Sequence, residues 1–513
     1  MKYELIKSSK QDIDRLIEYK KATIFDHAKD LSNEEIDKIN NYVTSEVPKS
    51  IYDYCNIIVN NKIVGCLLLT EVDDGKLLDE IYLEEEYRNN KIASITRRAL
   101  NKNKISDLVR VNERSSILQN DFSINIKTME VTDQKKSGRC WIFAGLNVLR
   151  EEIASNYNVE KFELSQNYIA FYDKLEKCNY FLENIVNLLD RKVDDRLFSF
   201  ILARGIEDGG QWDMFANIVR KYGVVPKSAY EETYQSENTN EIDDILNRYL
   251  RKTTSKMREF YNKDNKELIN ALKDKTMDNI YKLLCSSFGV PPKKFSFEFT
   301  DKDGNYHIFK DLTPIEFLND FVGINIDDYV SIINSPTKDK PYMKMYTIKY
   351  LGNLVEGKDI KHLNLGINRI KQLVISQLKD NKPVWFGSDC MKYGDRDEGI
   401  WDDLSYDYND LLQIELDMTK EEMLDMGESA MNHAMVITGV NIDEDKPTKW
   451  KIENSWGDEK AKKGYHVATD SWFDKYVFQV VVNKKYLNEE ELKVLESEPV
   501  ELDPWDPMGT LAD

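Results

Sequence analysis

Gln134-Lys135-Lys136-Ser137-Gly138-Arg139-Cys140-Trp141 is the stretch from which the rest of the chain is read. It sets a cysteine at a glycine-bearing turn, and Ile142, Leu146, Leu149 and Ile153 recur after it at helical spacing. Cys140 therefore opens a helix, where free N–H groups and the helix dipole favour a thiolate. Gln134, upstream in the same turn, carries a side-chain amide able to donate to an oxyanion beside the Cys140 backbone N–H. A cysteine ahead of an apolar helix is more often a small buried hydrophobe. This segment alone leaves both readings open.

Two later segments supply what a nucleophilic thiol needs. Met431-Asn432-His433-Ala434-Met435-Val436-Ile437-Thr438-Gly439-Val440 reads as a buried strand with one histidine at its start. After a turn rich in Asp, Lys and Pro comes Trp450-Lys451-Ile452-Glu453-Asn454-Ser455-Trp456-Gly457. A thiol requires a base, and the base requires a third group that fixes its tautomer and orientation. Cys140, His433 and Asn454 fit those roles, with Trp456 placed to shield the His–Asn hydrogen bond. Singly, His433 reads as a core histidine and Asn454 as a turn residue. The chain has only five histidines, so one in this setting is informative.

The set resembles the papain-like cysteine peptidases, most closely their cytosolic bleomycin hydrolase/aminopeptidase C branch. The resemblance runs from about residue 87 to the C-terminus. It includes Phe162-Glu163-Leu164-Ser165-Gln166-Asn167-Tyr168, Asp208-Gly209-Gly210-Gln211-Trp212, Trp385-Phe386-Gly387-Ser388-Asp389, Gly427-Glu428-Ser429-Ala430-Met431 and Pro504-Trp505-Asp506-Pro507-Met508-Gly509. It implies that Cys140 is the nucleophile, His433 the general base and acid, Asn454 the orienter and Gln134 an oxyanion donor. It also implies peptide substrates, a homohexamer, and substrate contact at Gly209 and Gly210; the plainer reading of those glycines is a tight turn. In papain-like enzymes His and Asn follow the nucleophile by roughly 130–150 residues. Here His433 lies about twice that far beyond Cys140, so extra structure intervenes. The interval from Glu241 to Lys379 reads as a mainly helical insertion, with amphipathic runs at 242–250 and 367–378.

Composition narrows the classes. The formal net charge of −20 disfavours nucleic acid as a partner, since phosphates require basic surface. No apolar run approaches the ~20 residues of a membrane span, and the start lacks a signal-peptide core. Six cysteines are scattered without metal-ligand pairs or a disulfide framework. Secreted papain-like enzymes carry a cysteine three residues before the nucleophile, and this chain has Ser137 there. A reducing cytoplasm is the expected location, and no metal or organic cofactor is needed.

Residues 1–86 fall outside the peptidase pattern. Amphipathic helices at 12–21 and 33–43 precede a strand, an Asn-Asn turn, a second strand at 56–69 and a third at 77–82. This order resembles the first half of a GNAT-type acetyltransferase. In that family the coenzyme A pyrophosphate sits on a glycine-bearing loop that opens a helix. Here the corresponding Arg88-Asn89-Asn90-Lys91-Ile92-Ala93-Ser94 has Lys91 at the first expected glycine, and the later strands are missing. A structural or partner-binding appendage is expected rather than acetyl transfer.

The expected fold is α+β. A small partial GNAT-like α/β module (1–86) precedes a papain-like two-lobed cysteine peptidase with a helical insertion (87–513). A helical lobe carries Cys140, and a β-rich lobe carries His433 and Asn454 on strands at 435–440, 451–454, 465–469 and 477–483. The resemblance places the terminal arm, 504–512, in the cleft, with the Ala512 carboxylate meeting a substrate's α-ammonium group once Asp513 is self-cleaved. The plain alternative for the arm is a disordered tail. The expected activity is that of an aminopeptidase working through a thioester.

Overall fold

Residues 435–440 form an apolar run without alternation because both faces of their strand are buried. Ala434 and Val436 pack into one core and Met435 and Ile437 into another. The same division holds along 384–386, where Trp385 joins the first core while Val384 and Phe386 join the second. Successive strand side chains point to opposite faces, so a sheet between two cores reads as continuously apolar.

The computed structural model describes residues 3–27, 31–59, 61–72, 75–83 and 91–512. The chain divides into two compact units, 1–110 with 407–416, and 111–406 with 417–513. In the first unit, β1 (Tyr3–Lys7), β2 (Tyr54–Val59), β3 (Lys62–Val72) and β4 (Gly75–Leu83) form an antiparallel sheet in sequence order. Helices α1 (Ile13–His27) and α2 (Asn33–Glu46) supply Leu16, Tyr19 and Val43 to a core with Tyr54, Cys66 and Leu68. Gly65 is required by close approach, since a Cβ there would lie 2.1 Å from the Tyr82 carbonyl oxygen. Of the loop compared with a coenzyme A site, residues 88–90 lie outside the described residues, and a helix begins at Lys91.

The second unit is built on a long mixed sheet. Its helices include α3 (Cys140–Tyr157), α4 (Gln166–Asn187), α5 (Trp212–Tyr222), α6 (Asn240–Tyr261) and α7 (Lys266–Phe288). A hairpin follows, β5 (Phe295–Thr300) with β6 (Tyr306–Leu312), then β7 (Tyr329–Ile333), β8 (Lys344–Ile348), β9 (His362–Asn364) and α8 (Ile367–Lys379). The remaining long strands are β10 (Val384–Ser388), β11 (His433–Asp443), β12 (Lys446–Glu453), β13 (Tyr465–Thr469) and β14 (Val477–Asn483), with a short β15 (Val500–Leu502). Across the sheet they run β13-β12-β11-β10-β14-β7-β9-β8-β15. Strands β11 and β12 meet at a two-residue turn in which Glu444 and Asp445 both have positive φ, 45° and 63°, the geometry a tight hairpin requires.

The interval from 241 to 379 is helical at its two ends, in α6 and α7 and again in α8, as its amphipathic runs predict, but not between them. After α7 it becomes strand, and β7, β8 and β9 extend the central sheet. Phe295, Phe297 and Phe299 alternate with Ser296 and Glu298, a period of two that favours strand. Helix and sheet are joined by buried charge. Arg150 of α3 contacts Glu453 at 2.8 Å, and Asn147 donates to the same carboxylate at 2.9 Å. Glu453 ends β12, so this contact fixes the helix of Cys140 against the residue preceding Asn454.

Candidate active site

Cys140 is the first residue of α3 and is 5 % exposed. The helix start leaves N–H groups without intrahelical acceptors, and those of Cys140 and Trp141 face the sulfur. A third N–H comes from the sheet, where Ala434 donates to Cys140 Sγ at 3.4 Å. His433 precedes Ala434 at the start of β11, one residue from the backbone that touches the sulfur. Burial nevertheless pushes the thiol up from 9.0 to about 11, against these donors. Desolvation thus outweighs the donors of the helix start.

The ring of His433 is held in one orientation. Its Nε2 lies 2.8 Å from Asn454 Oδ1, and that oxygen also accepts from the Ser455 backbone N–H at 2.8 Å. A backbone N–H is only a donor, so it fixes which end of the Asn454 amide is oxygen. Nε2 must then carry the hydrogen, leaving Nδ1 as the basic nitrogen. Trp456 stacks on the imidazole with centroids 4.9 Å apart, and the Arg396 guanidinium lies 4.6 Å over Trp456. Burial takes His433 down to about 4, the Asn454 hydrogen bond opposing and Arg396 adding to the fall.

Gln134 belongs to the same construction. Ser455 Oγ donates to Gln134 Oε1 at 2.6 Å, which fixes the amide, and Nε2 donates to the Ser137 carbonyl at 2.6 Å. One Nε2 hydrogen is thus committed and a second remains for another acceptor. The backbone of Gln134 also donates to the Ser455 carbonyl at 2.9 Å. The turn before Cys140 and the turn after Asn454 are therefore one hydrogen-bonded unit.

Gly210 lies against Trp141, while the Gly209 carbonyl accepts from Lys177. A Cβ on Gly210 would fall 2.5 Å from the Trp141 ring. The Gly210 N–H donates to the Leu511 carbonyl at 3.1 Å. The chain's own C-terminal segment thus takes up the backbone donor that sequence reading assigned to substrate. That segment is ordered as a 3-10 helix, Pro507–Ala512, rather than a loose tail. Met508 is fully buried and Leu511 is 3 % exposed. Thr510 donates to the Met431 carbonyl at 2.8 Å, and Lys340 pairs with Asp506 at 3.0 Å. Ala512 ends the helix, and Asp513 lies outside the described residues.

Other participants were not singled out by sequence reading. Ser455 orients both Asn454 and Gln134. Asp208 reaches back to the Gly138 N–H at 2.8 Å and is paired with Lys174. One signal was available. Asp173, Lys174 and Lys177 sit on α4 among Ile169, Phe171, Cys178 and Phe181, where an apolar stripe is expected, and all are buried. Cys178 and Cys390 are buried packing residues, with burial pushing both thiols far up.

The model of the Peptidase C1-like family matches residues 77–509. The chain belongs to that family. It is 49% identical to aminopeptidase C of Lactobacillus delbrueckii subsp. lactis over 76% of this chain and 88% of the relative. To aminopeptidase C of Lactobacillus helveticus it is 43% identical over 84% and 96%. Bleomycin hydrolase of Gallus gallus is 42% identical over 74% and 86%. The crystal structure of PepW from Lactobacillus rhamnosis HN001 superposes with a TM-score of 0.81 at 46% identity, covering 83% of this chain and 96% of that one. The chain is accordingly an enzyme, a cysteine-type aminopeptidase hydrolase.

Proposed function

We propose that this enzyme removes N-terminal residues from peptides through a thioester on Cys140, and that its C-terminal arm limits how far a peptide enters. The observation that supports the arm's part is the Leu511 carbonyl on the Gly210 N–H, which ties the chain's own C-terminal backbone to the glycine turn beside Trp141. A peptide that abuts the arm leaves only its first residue on that side of the sulfur. The Ala512 carboxylate, released when Asp513 is trimmed, would pair with the substrate's α-ammonium group. A charge-assisted hydrogen bond in a shielded site fixes register more firmly than an exposed pair.

The chemistry follows from the tautomer. Nε2 of His433 is committed to Asn454, so Nδ1 takes the Cys140 proton as sulfur attacks the peptide carbonyl. The Cys140 N–H and the free hydrogen of Gln134 Nε2 receive the developing oxyanion. The imidazolium then protonates the departing amine, and the C–N bond breaks to leave the thioester. Water, giving its proton to Nδ1, attacks the thioester carbonyl. The C–S bond breaks and sulfur regains its proton. Trp456, stacked on His433, keeps bulk water from competing for the His–Asn bond.

Four further parts belong to this reading. Assembly is expected to be a homohexamer and the location the cytosol. The sheet of the N-terminal unit is a GNAT-like appendage without acetyl transfer. Neither nucleic acid nor membrane is an expected partner; among the described residues no helix is long and apolar enough to cross a membrane. The decisive assay presents aminoacyl fluorogenic substrates to purified protein, with and without a thiol alkylator. Cleavage that is lost on alkylation and in Cys140→Ala supports the reading, and turnover by Cys140→Ala at the wild-type rate would falsify it.

A further inference from the structure

Asp208 touches two parts of the site at once. Its Oδ2 accepts from the Gly138 N–H at 2.8 Å and from the Thr239 hydroxyl. Its backbone carbonyl accepts from the Trp141 indole N–H at 2.7 Å. Gly138 and Trp141 flank the nucleophile, while Gly209 and Gly210 follow Asp208 directly. The approach is close enough that a Cβ on Gly138 would sit 2.7 Å from Asp208 Cβ.

Two lysines of α4 fix this contact from beneath. Lys174 Nζ meets Asp208 Oδ1 at 2.5 Å and also contacts Asp243, with only 2% of its side chain exposed. Lys177 donates to the Glu207 carbonyl at 2.8 Å and the Gly209 carbonyl at 2.6 Å, and pairs with Asp173 at 2.8 Å. All three ammonium hydrogens of Lys177 are thereby used. The backbone on both sides of Asp208 is held by charge rather than by packing alone.

We propose that Asp208 and Lys174 are positioning residues of the peptidase reaction, their buried ion pair locking the turn that presents Cys140 to the Gly209–Gly210 segment. The inference rests on the cysteine-peptidase reading above. A carboxylate suits the task because one group accepts from a backbone N–H, a hydroxyl and an ammonium together, which an amide cannot do. Lys174 has a second task, since an unneutralised carboxylate beside the sulfur would oppose the thiolate. Asp208 acts on Cys140 in that direction, and the Lys174 ammonium on its Oδ1 is the countercharge that keeps the carboxylate ionised.

The test uses the full-length protein with Asp208→Asn, Lys174→Met and Lys174→Arg. Aminoacyl-coumarin turnover and the pH midpoint of Cys140 alkylation by iodoacetamide are both measured, with folding checked by thermal melting. Asp208→Asn and Lys174→Met should each lower kcat by about tenfold to a hundredfold, the scale expected when reacting groups lose alignment. Their midpoints should move apart, down in Asp208→Asn, where a negative charge has gone, and up in Lys174→Met, where one is uncovered. Lys174→Arg should recover part of the turnover. General loosening would move both midpoints the same way, and that result overturns the proposal. So does turnover within about twofold of wild type in a folded Asp208→Asn, which alone decides if Lys174→Met does not fold. Failure of the underlying reading is separate, because wild-type protein would then keep its turnover after Cys140 is alkylated.

Discussion

Removing Thr510–Asp513 should expose the nucleophile in a measurable way. The cut follows Gly509, so Met508, the Lys340–Asp506 pair and the Arg196–Trp505 contact remain to hold the upstream arm. The deletion takes away Leu511, whose burial contributes about 2 kcal/mol. It also removes the Gly210–Leu511 and Thr510–Met431 hydrogen bonds, each contributing about 1 kcal/mol. Leu511 lies beside Gly387, with its Cδ2 3.3 Å from where a Cβ on that glycine would be, and it shares a core with Cys140.

The thiol is raised from 9.0 to about 11 chiefly by burial. Each pKa unit is a factor of ten in thiolate at neutral pH, so a return of the thiol to its ordinary 9.0 would give about a hundredfold faster alkylation at pH 7. The rate constant for iodoacetamide, followed by intact mass, measures this. In parallel, a peptide blocked at its N-terminus by acetylation should change from resistant to cleaved, while removal of single residues from free N-termini weakens. If alkylation stays within about twofold of wild type and the acetylated peptide remains resistant, the arm neither shields the sulfur nor sets specificity.

Other perturbations test separate parts of the argument. Asn454→Ala should lower turnover less than His433→Ala, because base and nucleophile survive. It should also cost about 1–3 kcal/mol of stability, read by denaturant melting, because the buried Ser455 N–H loses its acceptor. Gly210→Ala should raise KM and destabilise by about 1–3 kcal/mol, since its methyl overlaps the buried Trp141 ring; wild-type kinetics would remove Gly210 from the cleft. His362, His433 and His466 are each held near 4 by burial, below the usual 6.5. The unfolded chain therefore binds more protons between those values, and stability should fall as pH drops from 6.5 to 4, by up to about 3 kcal/mol per histidine. Melting across that range should show the loss, and its slope should lessen in His362→Gln.

The site was legible where its chemistry coincides with an element boundary. Cys140 begins a helix and His433 begins a strand, and both boundaries follow from periodicity and turn residues. Asn454 directly follows β12, so its placement came with the strand. What stayed hidden depends on long-range contact. Ser455 is an ordinary turn serine until Asn454 and Gln134 are placed beside it. The Asp208–Lys174 pair joins a loop to a helix through the interior, and only the charges on the apolar stripe of α4 betray it. Strands β7 to β9 are short and their burial comes from a sheet assembled elsewhere, so the interval containing them looked helical. Residues 407–416 cluster with a unit that otherwise ends at 110, which no local pattern can disclose.

The closed site also constrains how the proton moves. Burial raises the thiol and lowers the imidazole, which disfavours the charged form of each. Separated charges in a shielded site need compensation from their surroundings. Three N–H groups on the sulfur and Asn454 on the imidazole supply part of it. In the proposed mechanism the remainder arrives with the reaction, as the oxyanion forms between the Cys140 N–H and Gln134 and the negative charge leaves sulfur for oxygen. Proton transfer to His433 and attack on the carbonyl are then favourable together and unfavourable apart. On that reading a peptide carbonyl placed to accept the charge favours the thiolate that burial opposes.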